Sequence, residues 1–455
     1  MYLERGRAVV IGASIAGLLA AQALSKTHKV VVLERDDSTT QLVLRKGVPQ
    51  RRQLHVLLAQ GAKALAELLP GFTDDLVAAG AVLTDPQLDQ TYYLDGRAIA
   101  RAPSGLTSIN VSRPRLEHLV RQRVESLEHV KIQHAEALGL ITERDGAVVT
   151  GVQTTDPRTP QLAADLVVDA TGRGSRALHW LGELGASTPD SSRVEMDVIY
   201  VTRHYRWKAH HLDGRHGLLV APFPGFPRGG AAVHLEEDQW AVVLFGLMGK
   251  DPSTEEAEML AFAKSLPVPD LANLMEAAEP LDKPVKMRYP ASVRWHFEKL
   301  RQHPAGFLVM GDALCSFNPT YGQGMSVAAM EALALRDLVS AGTGGLPARF
   351  YRIAAKIIDA AWALAAGGDL RFPEIKGRHT PIDRVLNGYL DRYRLAACVD
   401  PTLGRTFVQV AQMLVPASAM VSPGHLIRVL RGSRRALPRD GMGFPVPNSS
   451  GAGTS

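Results

Sequence analysis

The sequence predicts an α/β protein in three parts: a parallel-sheet domain assembled from distant segments, a mostly antiparallel sheet inserted into it, and a helical C-terminal region. Three observations predict it. Residues 9–24, VVIGASIAGLLAAQAL, read as a short apolar strand, a glycine turn and a helix of small residues. Two more strand-to-glycine-turn units stand far along the chain, LVVDATGRGSR at 166–176 and the stretch 307–325. Between these last two, residues 194–207, 218–222, 231–235 and 240–246 have the β-branched, aromatic, period-two character of strands, with a hairpin at 236–238.

In the first unit, Gly12, Ser14 and Gly17 fall at the spacing of G-x-G-x-x-G, with Ser14 at the middle position. A glycine at the first position lets the chain turn sharply after the strand. A small residue at the second lets the backbone approach a pyrophosphate, which the helix N-terminus attracts. The apolar run 30–33 then ends in Glu34, about 20 residues on, where a carboxylate holds a ribose hydroxyl in dinucleotide-binding units. Strand, turn, helix, strand and acid in this order predict a Rossmann-like site formed by Gly12, Ala13, Ser14, Ile15, Ala16 and Gly17, with Glu34 and Arg35 at its far end.

Bulk composition narrows the class. The chain has 455 residues, enough for two or three lobes, and is 46% hydrophobic and 21% charged, as ordinary soluble proteins are. The net charge of +5 is a slight excess spread over a large surface; it suits an anionic cofactor and does not suggest nucleic acid. Two cysteines, Cys315 and Cys398, and scattered histidines predict neither a disulfide framework nor a metal site. The chain enters its first strand almost at once, and no apolar run is long enough to span a membrane; the expectation is a cytoplasmic protein, monomer or dimer.

Along the chain, the basic, turn-rich stretch 45–52 precedes a helix predicted over 53–69 and stopped by Pro70 and Gly71. A second helix is predicted over 112–127, with Ser112 as its cap. Runs 130–133, 139–142 and 148–153 read as three strands of a hairpin insertion. Helices are predicted over 253–266, 326–339, 348–366 and 406–420, and 285–294 reads as extended. The expected division is a nucleotide domain from 1–84, 103–180 and 285–345, a substrate-side sheet from 85–102 and 181–284, a helical region over 346–435 and a disordered tail over 436–455.

The stretch GDALCSFNPTYGQGM, 311–325, is the second candidate site. A strand ending in Gly311-Asp312, then Pro319 and the pair Gly322 and Gly324, leads into a helix whose N-terminus favours a negative or electron-rich group. Asp312 is placed to meet a sugar-alcohol hydroxyl, and residues 318–324 form a loop thin enough to lie against a flat ring.

GASIAG, DATGRGS and GDALCSFNPTYGQGM together resemble the single-component FAD-dependent monooxygenases of the p-hydroxybenzoate hydroxylase class, over roughly residues 8–340. Within that class, LRKGVPQRRQLHVLL and LVVDATGRGSR are most similar to the bacterial polyether-type epoxidases of polyketide olefins. The resemblance implies FAD as cofactor, with Gly12, Ser14 and Gly17 at its pyrophosphate and Glu34 at the adenosine ribose. It implies Arg113 beside the flavin, Asp312 at the ribityl or pyrophosphate region, and Pro319, Gly322, Gln323, Gly324 and Met325 along the isoalloxazine. Arg45 and Lys46 match a basic turn near the cofactor, and Thr171 and Gly172 belong to the middle turn. The class commonly carries Asp-Gly before x-x-Ser in that turn; this chain has Thr171 before Gly172, with Ser175 retained, which leaves open NADPH docking or electron delivery by a separate reductase.

The chemistry implied is oxygen transfer from a flavin C4a-hydroperoxide, with O2 as co-substrate, to a hydrophobic polyketide or terpenoid. The protein positions the substrate and excludes water. No acid–base dyad is required, and the single candidates are His55 and Tyr321. Arg203, Tyr205 and Trp207 share a strand face and are candidates for the substrate cavity, against a place in the sheet core. Competing readings are an FAD-linked prenyl-chain reductase and a cyclase that keeps FAD as scaffold. A flavin halogenase is disfavoured by the absence of W-x-W-x-I-P.

Overall fold

The computed structural model describes residues 5–36, 54, 56–376 and 381–436. Its first layer is a five-stranded parallel sheet in the order Phe307–Val309, Leu166–Asp169, Gly6–Ile11, His28–Glu34 and Val130–His134. The inner strands read as short apolar runs because helices cover the sheet, while the edge strand Val130–His134 is more polar and partly exposed. On it lie the helices Ile15–Leu24, Gly324–Ser340 and Leu346–Asp369, in one core with Leu18, Leu19, Val32, Val168, Leu308, Leu335 and Phe350. The small residues of Ile15–Leu24 allow close approach: a Cβ at Gly17 would collide with the carbonyl of Gly12.

The second layer is an eight-stranded mixed sheet, in the order Cys315–Ser316, Val285–Trp295, Ser191–Arg206, Gln239–Leu247, Arg228–Leu235, Gly217–Val220, Gln90–Leu94 and Arg97–Ala98. The hairpin between Arg228–Leu235 and Gln239–Leu247 turns through the three residues Glu236, Glu237 and Asp238, the last two at positive φ. One face of the sheet packs on the helices Glu256–Lys264 and Asp270–Ala277 through Tyr205, Trp240, Leu244, Phe262 and Leu271. The other face, carrying Tyr200, Ala231, Phe245 and Tyr289, meets Ala366, Phe372 and Ile375. The C-terminal helices Pro381–Ala397, Pro401–Ala411 and Pro423–Ala436 close the far side around Tyr393, Leu403 and Val408. Among the described residues, no helix is long and apolar enough to cross a membrane.

Several elements differ from expectation. The helix predicted over 53–69 spans Ala59–Leu68; Leu54 and Val56 instead pack on Val233, Leu235 and Ala241 of the second sheet, and Leu57 bridges Ile109. Of the three strands assigned to a hairpin insertion, Val130–His134 is an edge of the parallel sheet, while Ala137–Glu143, Val148–Thr154 and the unanticipated Gln161–Ala163 form a small antiparallel sheet. Val285–Trp295, grouped by sequence with the nucleotide domain, pairs with Ser191–Arg206 instead. The helix expected over 406–420 stops at Ala411, and Met413 adopts positive φ. The tail from 437 lies outside the described residues.

Candidate functional site

Three of the five parallel strands are immediate neighbours, and each ends in a turn at the same edge. Gly6–Ile11 leads into Gly12, Leu166–Asp169 into Gly172, and Phe307–Val309 into Gly311. Ligands of open parallel sheets bind at this carboxyl edge. The three turns open on one cavity of about 1180 Å³ that runs between the two sheets to the C-terminal helices.

The first turn is a concave end for an anion. Gly12 has φ of +96°, and a side chain there would meet the backbone of Ala170 in the neighbouring turn. Ser14 begins the helix Ile15–Leu24 without a side-chain cap, so the helix presents its first N–H groups toward the cavity wall formed by Gly12, Ala13, Ser14, Ile15 and Ala16. Glu34 ends its strand beside this turn. Its Oε2 accepts from Ala13 N at 3.2 Å and its Oε1 from Asp36 N at 2.9 Å.

The middle turn is organised by a residue that sequence reading passed over. Asp169 is fully buried. Its Oδ1 accepts from Thr171 N (2.9 Å) and Thr171 Oγ1 (2.6 Å), and its Oδ2 from Ser175 Oγ (2.7 Å). The departure at Thr171 thus sits in an internal turn lock with the retained Ser175. Burial pushes the Asp169 carboxyl up, against the pull of these donors. The signal in the sequence was Asp-x-Thr-x-x-x-Ser after a buried strand, an Asx-turn pattern.

In the third turn, Asp312 lines the cavity, half-buried. Burial raises its pKa, and the charges of Arg113 and Arg173 pull it part of the way back. Arg113 opens the helix Arg113–Glu125, whose cap Ser112 accepts from Arg115 N, and lies 3.8 Å from Glu117. Beneath the turn, the fully buried Glu331 accepts from Gly311 N at 2.7 Å; burial, first, and the neighbouring Asp312 push its carboxyl up to about 8. The loop beyond is held by Asn318, which donates from its backbone to Ser292 Oγ (2.9 Å) and accepts at Oδ1 from Tyr200 OH (2.5 Å) and Thr320 N (3.1 Å). Tyr321 OH donates to Asp369.

The cavity wall therefore gathers Gly12, Ala13, Ser14, Ile15, Ala16, Glu34, Arg35, Arg113, Thr171, Gly172, Asp312, Pro319, Tyr321, Gly322, Gln323, Gly324 and Met325. Two candidates stand behind it: Gly17 lies under Gly12, and Gly311 lies against Ala16. Arg45, Lys46 and His55 lie outside the described residues. Arg203, Tyr205 and Trp207 do not line this cavity. They are on the sheet face turned to the two helices, where Arg203 pairs with Glu256 at 2.6 Å, Tyr205 is buried, and Trp207 stacks on His234 with centroids 4.2 Å apart. Strand alternation puts them on the face opposite Tyr200, which packs on the side of Met287 and Tyr289. Alternation along the strand groups the three but does not say which face they share.

The three strand-end turns thus open together on one largely apolar chamber. Residues 6–345 match the family model of the FAD binding domain, and the chain belongs to that family. It is 33% identical over 428 residues to Protein Rv3254 of Mycobacterium tuberculosis, covering 90% of each chain. It is 24% identical to squalene epoxidase 4 of Arabidopsis thaliana, over 73% of this chain and 61% of that one. Among solved structures, p-nitrophenol 4-monooxygenase PnpA from Pseudomonas putida shares the fold, with a TM-score of 0.64 at 18% identity, covering 92% of this chain and all of that one.

Proposed function

We propose that this protein is an FAD-dependent monooxygenase that epoxidises or hydroxylates a hydrophobic polyketide or terpenoid. The observation that carries the reading is the meeting of three neighbouring strand-end turns on one cavity whose lining is largely apolar. Leu54, Leu219, Val233, Trp362, Phe372 and Phe407 belong to that lining.

The residues present suit FAD. The uncapped helix start at Ser14 and the close backbone turn at Gly12 fit a pyrophosphate, and Glu34 fits the adenosine ribose. Asp312 and Arg113 fit the middle of the molecule, and 319–325 the ring system. Gln323 supports this: its amide is 1% exposed, lines the cavity and has no hydrogen-bond partner among the described residues. A reduced flavin bound there supplies the activation of O2. The chain's own part is to hold the apolar substrate against the 319–325 loop and to exclude water through the C-terminal helices. NADPH, directly or through a separate reductase, is the electron source in this reading.

The test is a visible spectrum of the purified protein, followed by NADPH oxidation with linear polyenes under labelled O2. Flavin bands and label in the product are expected. A colourless protein that takes up no FAD, or turnover without label, overturns the reading; unlabelled turnover points to the reductase or cyclase.

A further inference from the structure

The helix Pro423–Ala436 is seated on its neighbours by one narrow strip. Val429 and Gly432 are its buried residues, and a Cβ at Gly432 would crowd Ala396 of the helix Pro381–Ala397. Much of the remaining circumference faces outward, and it is not polar throughout. Leu426, Ile427 and Leu430 are 42%, 52% and 56% exposed. At i, i+1 and i+4 they form one stripe along the helix. Arg428, Arg431 and Arg435, three and four apart and also exposed, form a second stripe beside it, and Arg434 falls at the end of the first. The helix contains no Asp or Glu. Ile427 and the arginine stripe share a shallow depression with the exposed Val399 and with Asp400, whose carboxylate is taken by Arg428 at 2.9 Å and by Thr402 N at 2.9 Å. The same part of the molecule holds an opening of the large cavity. Val421, two residues ahead of the helix, and Leu386 are both exposed and both part of the cavity lining. Tyr389 OH donates to the Met420 carbonyl at 2.6 Å and so keeps these two segments together.

We propose that the helix Pro423–Ala436 docks this protein on an anionic membrane surface, lying in the plane of the interface with the cavity opening turned toward lipid. A contiguous exposed apolar stripe marks a contact surface, and its flanks select the occupant. Leu426, Ile427 and Leu430 suit the boundary between headgroups and acyl chains, and the arginines suit the lipid phosphates at the same level. A second copy of this chain, placed symmetrically on the same helix, brings arginine against arginine, with no carboxylate on the helix to offset it. The helix lies on the bilayer rather than through it, because 14 residues are too few to span one. Docking rests on this helix alone. That an apolar substrate then enters from the bilayer past Leu386 and Val421 rests on the reading of the cavity as the substrate chamber.

The experiment floats the purified full-length protein with vesicles of phosphatidylcholine alone and of phosphatidylcholine mixed with phosphatidylglycerol. The expected result is stronger partition onto the anionic vesicles by about thirtyfold or more, weakening as salt shortens the screening length from about 10 Å at 0.1 M to about 3 Å at 1 M. Leu426→Ser, Ile427→Ser and Leu430→Ser together are expected to abolish binding to both vesicle types. Arg431→Gln with Arg435→Gln is expected to lower the anionic preference about tenfold. All five side chains are exposed, so the thermal midpoint of either variant stays close to that of the wild type. In a Cys398→Ser background, an environment-sensitive fluorophore on Leu386→Cys is expected to shift its emission to the blue on anionic vesicles, as the opening meets lipid. No partition of the wild-type protein, equal partition onto both vesicle types, full binding by the triple variant, or an unshifted label on bound protein overturns the proposal. So does a wild-type dimer that the triple variant reduces to monomer, which gives the stripe to a second copy. Flavin content enters none of these measurements, so missing flavin bands count against the cofactor reading alone.

Discussion

Ala59 N donates to Gln412 Oε1 at 2.8 Å, joining residues 353 positions apart in a buried hydrogen bond. The helix Ala59–Leu68 has Leu58 at its N-cap position, which offers no oxygen, so the side chain from the C-terminal region supplies it. Gln412→Ala is expected to lower stability by about 1–2 kcal/mol. The denaturant midpoint measures this; an unchanged midpoint removes the capping role.

Asp169 gathers Thr171 N, Thr171 Oγ1 and Ser175 Oγ on one carboxylate. Asp169→Ala is expected to loosen the middle turn and weaken FAD binding by about tenfold or more, with Ser175→Ala weaker in the same direction. Flavin fluorescence during dilution of the holoprotein reads both.

Asp312→Ala is expected to reduce FAD occupancy in the purified protein, because that carboxylate faces the cavity between the Arg113 and Arg173 charges. The ratio of flavin to protein absorbance decides it, and full occupancy removes the role.

Arg203, Tyr205 and Trp207 give the opposite expectation. Tyr205→Ala is expected to destabilise by about 3–5 kcal/mol, as large aromatic truncations in a core do, without altering FAD affinity or selectivity among polyenes. Changed selectivity in a folded variant puts the residue back at the site.

Glu331 makes stability pH-dependent. Its carboxyl stands at about 8 in the folded protein and at 4.5 when unperturbed, so between those values the folded state holds a proton that the unfolded state has released. Its contribution is most favourable below about 4.5 and is lost as pH rises to 8. Glu331→Gln, which keeps an acceptor for Gly311 N, is expected to remove that loss and raise relative stability at pH 8 by a few kcal/mol. Denaturant midpoints of both proteins on either side of the window test it.

The three turns were legible because local chemistry writes them: a strand, a glycine that must take positive φ or admit a neighbour, and a helix of small residues. That Gly12, Gly172 and Gly311 sit side by side followed from the parallel-sheet reading. What escaped was long-range. Nothing near Asp369 marks it as a partner of Asn318, since a helix-ending aspartate is common and its burial is decided by a sheet formed elsewhere. Alternation sets Tyr205 opposite Tyr200, but which of the two faces meets the cavity is decided by helices that pack on the sheet from elsewhere in the chain. The helix Asp270–Ala277 passed unread, and Pro381–Ala397 and Pro423–Ala436 were read only as part of a helical region without bounds, because propensity weighs little against tertiary packing in short or charged segments.

The strand Phe307–Val309 lies at one border of the parallel sheet and pairs with Leu166–Asp169, itself beside Gly6–Ile11. An emerging chain therefore carries its first nucleotide turn on the ribosome long before the partner bearing Asp312 exists. Firm FAD capture is therefore expected only once about two-thirds of the chain is made, and products truncated before Asp312 should be colourless even when their N-terminal half is compact.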